Sequence, residues 1–237
     1  MATHVHENVL AMAARRRSPA EPPPAGRGVS SELVVLRGPA QPRAEELRAL
    51  RTRILIDWAN AGLRRRALVV ASPGPGEGRS YVAANLAVAF AQLGERTLLI
   101  DADLRSPRQQ RIFGVPDRPG LAEVLAGGAG RRAETALPEF GSLALLTAGA
   151  PPPNPQELLL GPALAGLLEE LAAEFDVLIF DSPPAALYAD AQSLAFRAGG
   201  ALVLARKDRT RVSDASRTLR ELSVTGARVV GTVFNAF

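Results

Sequence analysis

The sequence predicts an α/β fold in which a mostly parallel central sheet has helices on both faces. Short, continuously apolar segments alternate with helical segments over residues 67–235. Continuous apolarity is typical of strands that are buried on both faces of a parallel sheet. The chain has 237 residues, of which 47% are hydrophobic, so it is long enough for one sizeable domain of this class.

The predicted elements follow one another in a regular order. A helix starting at Ala44 places Leu47, Leu50, Ile54 and Leu55 on one face. Strands are predicted at 67–71, 96–101, 143–149, 176–181, 200–205 and 228–235, with helices near 80–93, 107–113, 120–126, 156–174, 190–197 and 212–224. Residues 1–42 are basic and proline-rich, so we predict a largely disordered segment in which 31–38 forms a short strand docked on the folded domain, residues 43–237.

The composition excludes several classes of site. The chain has no cysteine and two histidines, both within the first six residues, which excludes thiol nucleophiles, disulfides and iron–sulfur ligation. Its net charge of +4 comes without an aromatic-and-basic pattern, so we expect no nucleic-acid partner. No apolar run approaches the ~18–20 residues of a membrane span, and the first residues lack the order of a secretory signal. We therefore expect a cytoplasmic protein.

A glycine-rich loop follows the first predicted strand and precedes a helix. Its sequence, SPGPGEGRS at 72–80, lets the backbone direct N–H groups at phosphate oxygens beside a helix N-terminus. The predicted nucleotide-binding residues are Gly74, Pro75, Gly76, Glu77, Gly78, Arg79, Ser80 and Tyr81. Arg79 stands where the motif G-x-x-x-x-G-K-[ST] has lysine, and its planar guanidinium replaces a compact point charge. Nucleotide binding is therefore predicted, whereas fast phosphoryl transfer stays open.

Aspartates follow two of the predicted strands. Asp101 and Asp103 end one strand and Asp181 ends another, and the carboxyl ends of parallel strands are where such sheets bind ligands. We predict that Ser80, Asp101 and Asp181 hold Mg²⁺, and that Asp101, Asp103 and Arg79 act in catalysis by orienting an attacking hydroxyl and neutralising charge. The alternative is that these aspartates cap helices or turns.

Several motifs together resemble one family. PGEGRS, LLIDADLRSP, DVLIFDSPP, YADAQSLAFRAGGALVLARKDRTR and GTVFNAF are similar to segments of the bacterial tyrosine kinases (BY-kinases), P-loop proteins of exopolysaccharide and capsule synthesis related to the MinD/ParA ATPases. The likeness includes the chain-length-determinant kinases of exosortase-associated clusters.

The resemblance implies roles for particular residues. It implies a three-layer α/β/α P-loop fold that binds ATP and Mg²⁺, with Asp101 and Asp103 in the Walker A′ motif and Asp181 in Walker B. Asn235 would lie near the adenine. Glu45, Arg48 and Arg51 match the family's oligomerisation motif. The family's C-terminal tyrosine cluster has no counterpart here, since the only tyrosines are Tyr81 and Tyr188, so we expect no autophosphorylation of a tail.

Three functional hypotheses remain. The first is an ATP-binding, tyrosine-kinase-like regulator of exopolysaccharide chain length, either a phosphotransferase or a slow ATPase. It would form homo-oligomers, and a membrane co-polymerase would recruit it to the inner face of the cell membrane and supply an activating cytoplasmic segment. The second is a non-catalytic ATP-binding adaptor of the same system. The third is a MinD/ParA-type positioning ATPase, which would carry an additional lysine at the place of Gly74.

Overall fold

A seven-stranded sheet lies at the centre of the computed structural model, which describes residues 28–37, 41–62, 66–128 and 133–236. The strand order is β3-β4-β2-β5-β1-β6-β7. The strands are β1 Ala67–Ala71, β2 Thr97–Asp101, β3 Thr135–Leu137, β4 Leu143–Leu146, β5 Val177–Asp181, β6 Gly200–Arg206 and β7 Arg228–Asn235. Neighbours are parallel except β3, which pairs antiparallel with β4. The predicted fold class is confirmed.

Helices cover both faces of this sheet. In the described residues they are α1 Val34–Arg37, α2 Pro42–Ala61, α3 Arg79–Ala91, α4 Gln109–Phe113, α5 Leu121–Leu125, α6 Pro155–Leu160, α7 Pro162–Glu174, α8 Asp190–Ala198 and α9 Val212–Val224, with a 3₁₀ turn at Pro138–Phe140. None of these helices has the length and apolarity needed to cross a bilayer.

The central strands contribute to two separate cores, one on each face of the sheet. Along β1, Val69 packs into a core that α5–α8 cover, whereas Leu68 and Val70 pack on the opposite side with α2 and α3. Successive side chains of a strand point to opposite faces, so a strand buried on both sides must be apolar throughout. On the second face Trp58 of α2 stacks on Phe90 of α3, with ring centroids 5.5 Å apart.

The segment predicted as a docked strand at 31–38 is helical at Val34–Arg37. The prediction of a strand was therefore wrong, whereas the prediction that the segment packs on the domain is confirmed. Leu33 and Val35 are buried on the second face. Asn85 of α3 holds the segment, because its Oδ1 accepts the Val35 N–H at 3.2 Å and its Nδ2 donates to the Glu32 carbonyl at 2.9 Å. Short apolar runs do not distinguish a strand from a helical turn. Residues 1–27 and 38–40 of the predicted disordered segment lie outside the described part of the chain.

Two further elements differ from the prediction. The helix predicted at 156–174 is divided into α6 and α7, because Gly161 is extended (φ −60°, ψ 164°) before Pro162 and proline disfavours a helical residue in front of it. The edge strand β3 was not predicted. Its three residues are too few to show a periodic pattern, and only pairing with β4 makes them a strand.

The sheet topology places three loops side by side. β5 lies between β1 and β2, and Asp101 is paired in register with Asp181. The loops that follow these strands, 72–78, 102–108 and 182–189, therefore leave the same edge of the sheet. The predicted phosphate loop and aspartates meet there.

Candidate functional site

The phosphate loop joins β1 to α3 at the carboxyl edge of the sheet. Gly76 and Gly78 have φ of +69° and +100°, a left-handed backbone that residues with side chains rarely adopt. These two residues turn the chain sharply onto the N-terminus of α3, a helix of 13 residues. Exposed backbone N–H groups and the positive end of the helix dipole make such a terminus an anion site. The backbone here fits a phosphate group.

Arg79 is buried inside this loop rather than extended into solvent. Its Nε donates to the Ser182 carbonyl at 2.7 Å, and its Nη1 donates to the Gly74 carbonyl at 2.6 Å and to the Ser72 hydroxyl. The guanidinium thus ties the start of the phosphate loop to the loop after β5. Burial lowers the pKa of Arg79, while the carboxylates of Asp181, Asp103 and Glu77 act in the opposite direction. Its charge is retained.

Asp101 and Asp181 are fully buried neighbours with different hydrogen bonds. Both oxygens of Asp101 accept backbone N–H groups, from Asp103 at 3.3 Å, Arg108 at 3.0 Å and Gln109 at 2.9 Å. Burial, and to a smaller extent repulsion from Asp181, raises the pKa of Asp101 well above its usual value. The hydrogen bonds from the backbone N–H groups lower the pKa but do not offset this rise. Asp101 therefore caps the start of α4, which was the alternative left open by the sequence.

Asp181 has a carboxylate oxygen that is available to a cation. Its Oδ1 is buried and has no hydrogen-bond partner among the described residues. Burial raises the pKa of Asp181 to about 6, although Gln109, the Ser80 hydroxyl and Arg79 favour the charged form. A carboxylate oxygen beside a serine hydroxyl is a donor set that suits Mg²⁺. The side chains of Ser80 and Asp181 are therefore suited to bind Mg²⁺.

Gln109 is a site residue that the sequence reasoning missed. It is fully buried, and its Nε2 donates to Asp181 Oδ2 at 2.8 Å and to the Ser80 carbonyl at 3.1 Å. It thus joins α4, β5 and α3 at the point where the metal would bind. Only its position eight residues after Asp101, at the start of a helix that follows an aspartate-rich strand end, could have suggested a role.

Asp103 lies in the loop after β2, which is joined to the loop after β5. Asp103 Oδ1 accepts the N–H groups of Arg105 and Ser106, at 3.2 and 2.9 Å. Arg105 makes a two-pronged ion pair with the buried Asp190, at 2.8 and 3.2 Å, and its guanidinium lies over the Tyr188 ring, 3.9 Å from the centroid. The loops that carry Asp103 and follow Asp181 are therefore held to each other.

Three other predicted ligand residues lie around the loop. Asn235 ends β7, and its Nδ2 donates to the Glu77 carbonyl at 3.0 Å. Pro75 is exposed at the tip of the loop. Tyr81 is on the first turn of α3, half-buried, and burial raises its pKa. The contact of Asn235 with the phosphate loop places it next to the site, while its contact with an adenine stays a prediction.

The predicted oligomerisation residues lie on α2, away from the phosphate loop. Glu45 is exposed and forms an ion pair with Arg48 of the same helix. Arg51 is partly buried, and its Nη1 donates to the Ala89 carbonyl of α3 at 2.9 Å. Of the three, Arg51 is thus anchored on its own subunit, and a role of the motif between subunits stays a prediction.

Comparison with known proteins gives a consistent assignment. The family model of ParA, described as NUBPL iron-transfer P-loop NTPase, matches residues 64–236. The tyrosine-protein kinase YwqD of Bacillus subtilis is 33% identical over 210 residues, which are 89% of this chain and 88% of YwqD. The kinase domain of the Escherichia coli tyrosine kinase ETK superposes with a TM-score of 0.82 at 29% identity, covering 95% of this chain and 86% of that domain.

The chain belongs to the bacterial tyrosine kinase family of P-loop proteins. Nucleotide and Mg²⁺ binding are implied by this fold. EpsB of Ralstonia solanacearum, named as a tyrosine-protein kinase, is 36% identical over 204 residues, which are 86% of this chain and 27% of EpsB. The chain thus spans about a quarter of that BY-kinase and most of YwqD.

Proposed function

We propose that this BY-kinase chain binds Mg-ATP at the carboxyl edge of its sheet and transfers the γ-phosphoryl group to tyrosine. The observation that carries the proposal is the unpartnered Asp181 Oδ1, buried beside Ser80 at the foot of the phosphate loop. A buried carboxylate oxygen without a donor is costly, and a bound cation would satisfy it. The named kinase relatives support the same reaction.

The residues of the chain would divide the work of transfer between them. The backbone of 74–80 and Arg79 would bind the phosphates, and Ser80 and Asp181 would hold Mg²⁺, which neutralises charge on the transferring group. Asp103 would accept the phenolic proton. Its Oδ1 accepts backbone N–H groups, whereas no hydrogen bond to its Oδ2 is found within the described part of the chain. The phenolic oxygen forms a bond to the γ-phosphorus, the β–γ bridging bond breaks, and ADP leaves with the electron pair.

We further propose that the activity regulates exopolysaccharide chain length with a membrane co-polymerase. The co-polymerase would hold the chain at the inner face of the cell membrane, where the chain would form homo-oligomers. The support is the likeness of residues 44–237 to the BY-kinases of polysaccharide systems, together with the exposed position of Glu45 on α2.

A labelling experiment tests the kinase proposal. The full chain is incubated with γ-³²P-labelled ATP, Mg²⁺ and either a tyrosine-containing copolymer or the cytoplasmic segment of the co-polymerase. We expect labelled phosphotyrosine that disappears with EDTA and falls by at least about 100-fold in Asp181→Asn. Asp117→Asn, an exposed carboxylate elsewhere, is the matched control and keeps full activity. Nucleotide binding without any transfer would reject the kinase and leave the adaptor.

The non-catalytic adaptor is the second candidate, and the geometry of Arg79 favours it. Its guanidinium is engaged by loop carbonyls at 2.6 and 2.7 Å, whereas a shorter lysine ammonium would act as a point charge at the phosphates. If this geometry blocks transfer, Arg79→Lys creates transfer at least about tenfold above background, while Arg53→Lys on the exposed surface of α2 does not. Equal rates for wild type and Arg79→Lys would show that Arg79 is not the cause of any deficit.

A further inference from the structure

The tip of the phosphate loop is held by side chains from β6, which lies next to β1 in the sheet, from β7 and from the loop after β6. The Thr210 hydroxyl, in the loop between β6 and α9, donates to Glu77 Oε1, and Glu77 Oε2 accepts the Gly74 N–H at 2.8 Å. Asn235 Nδ2 donates to the Glu77 carbonyl at 3.0 Å, and Arg206 Nη1 donates to the Gly76 carbonyl at 2.8 Å. Residues 74–77 are therefore fixed to the ends of β6 and β7.

The position of Glu77 is unexpected on electrostatic grounds. Its side chain belongs to a loop that must accept the negative charge of phosphates, and the residue is only 3% exposed. A buried carboxylate close to a phosphate site weakens phosphate binding by repulsion. The Glu77 carboxylate accepts two hydrogen bonds, which link Gly74, the first residue of the turn, to a neighbouring loop. This structural link indicates a benefit that compensates for the repulsion of phosphate.

The loop that carries Thr210 is itself rigidly built. The Thr210 Oγ1 accepts the Arg206 N–H at 2.7 Å, the Thr210 N–H donates to the Arg206 carbonyl at 2.9 Å, and the Lys207 N–H donates to the Asn235 carbonyl at 2.8 Å. Asp208 is the described residue other than glycine with positive φ, at +57°. Such a conformation persists where surrounding contacts determine it, and it is frequent near functional sites.

We propose that Thr210 and Glu77 are positioning residues that hold the phosphate loop in its nucleotide-binding shape. The proposal rests on the proposed function, because it concerns the same nucleotide site. Phosphate binding by backbone N–H groups requires these groups to stay in one arrangement before the ligand arrives. The Thr210–Glu77 hydrogen bond fixes this arrangement from the loop after β6, so its loss weakens nucleotide binding without changing the reacting groups.

The test compares Thr210→Val with Thr210→Ser. Valine keeps the shape and removes the hydroxyl, and serine restores it. Binding of a fluorescent ADP analogue with Mg²⁺ is titrated, and KM for ATP and kcat are measured in the labelling assay. We expect Thr210→Val to raise Kd and KM about tenfold, as for a lost hydrogen bond to a charged group, with kcat within about twofold. Thr210→Ser stays within about threefold of wild type, and Thr232→Val, exposed on β7, is unchanged.

The outcomes separate this inference from the proposed function. Absence of nucleotide binding by the wild type would reject the proposed function itself. Wild-type binding with an unchanged Kd in Thr210→Val, or a loss confined to kcat, would overturn the positioning role alone. If Thr210→Val fails to fold, Glu77→Gln decides: weaker nucleotide binding supports the role, whereas tighter binding shows that Glu77 acts only by repulsion and overturns it.

Discussion

Asp101 and Asp181 are adjacent in the sheet, yet their side chains have different hydrogen-bond partners. Asp101 accepts three backbone N–H groups at the start of α4, so its charge is already used to position that helix. Asp181 keeps one buried oxygen without a hydrogen-bond partner in the described part of the chain. These hydrogen bonds therefore favour Asp181 over Asp101 as the proposed Mg²⁺ ligand, a difference that residue type alone does not show.

The raised pKa of Asp181 predicts a pH dependence of stability. The folded state holds this proton up to about pH 6, whereas the unfolded chain releases it near the usual pKa of about 3.9. The stabilisation is therefore present below that lower value and lost as pH rises through about 6. Asp181→Asn cannot titrate. In metal-free urea unfolding we expect the free energy of unfolding of wild type to fall relative to that of the variant between pH 4.5 and 7.

The difference between the two proteins is the decisive quantity, because carboxyl groups that do not interact with Asp181 affect both equally. The pKa of Asp176, for example, is lowered by its hydrogen bond from Arg96, so its contribution grows with pH in wild type and variant alike. Asp101 does interact with Asp181, and removal of the repulsion from Asp181 changes the difference in the same direction. A difference that stays constant across this range would contradict the assignment of a raised pKa to Asp181.

At the scale of elements, α5 approaches the end of β4 so closely that one position must be glycine. A Cβ added to Gly120 would lie 2.1 Å from the Thr147 carbonyl oxygen. The Leu121 N–H donates to the same carbonyl at 2.8 Å, and Glu123 Oε2 accepts the Gly120 N–H at 2.8 Å. This contact joins α5 to the segment that follows β4, the strand that pairs with β2.

A pair of glycine substitutions tests this contact. In Gly120→Ala the added Cβ would push the backbone at 120 away from the backbone at 147–149. We expect this substitution to lower the free energy of unfolding by about 1–3 kcal/mol. Gly166→Ala lies on the exposed side of α7, where a Cβ would meet nothing within 4 Å, and should raise it by about 0.5–1 kcal/mol. Urea unfolding followed by the fluorescence of the single tryptophan, Trp58, measures both. Equal stabilities for the two variants would show that the close approach is not maintained.

At the scale of the whole molecule, the site exists only when distant segments have assembled. Arg79 and Ser182 are 103 residues apart in sequence, and Glu77 and Thr210 are 133 residues apart. The unfolded chain cannot reproduce these pairs. A ligand that binds at the site should therefore stabilise the entire fold rather than one loop.

Ligand-linked unfolding measures this coupling. With ADP and Mg²⁺ at about 100 times Kd, the free energy of unfolding should rise by about 2.7 kcal/mol. Chelation of Mg²⁺ by EDTA should remove part of that gain, and Mg²⁺ alone should give little. Trp58 is buried between α2 and α3, so its fluorescence reports unfolding of the face behind the phosphate loop. An unchanged transition with saturating nucleotide would contradict the coupling.

Local sequence pattern was enough to predict the sheet class, the phosphate loop and the aspartates at strand ends. Each of these depends on a local pattern, such as the continuous apolarity of 67–71 or the glycines at 74, 76 and 78, which neighbouring residues show directly. Local pattern also gave wrong predictions. Val34–Arg37 is a helix where a strand was predicted, and Gly161 and Pro162 divide one predicted helix into two. The strand β3 is too short to show a pattern and was not predicted.

The availability of these side chains to a ligand, by contrast, depends on contacts between segments that are distant in the chain. The capping role of Asp101, the inward bonds of Arg79, the bridge of Gln109 and the support of Glu77 by Thr210 all join segments far apart in the chain. A side chain's available hydrogen-bonding atoms depend on which neighbours the fold brings to it. Residue type and spacing do not contain that information.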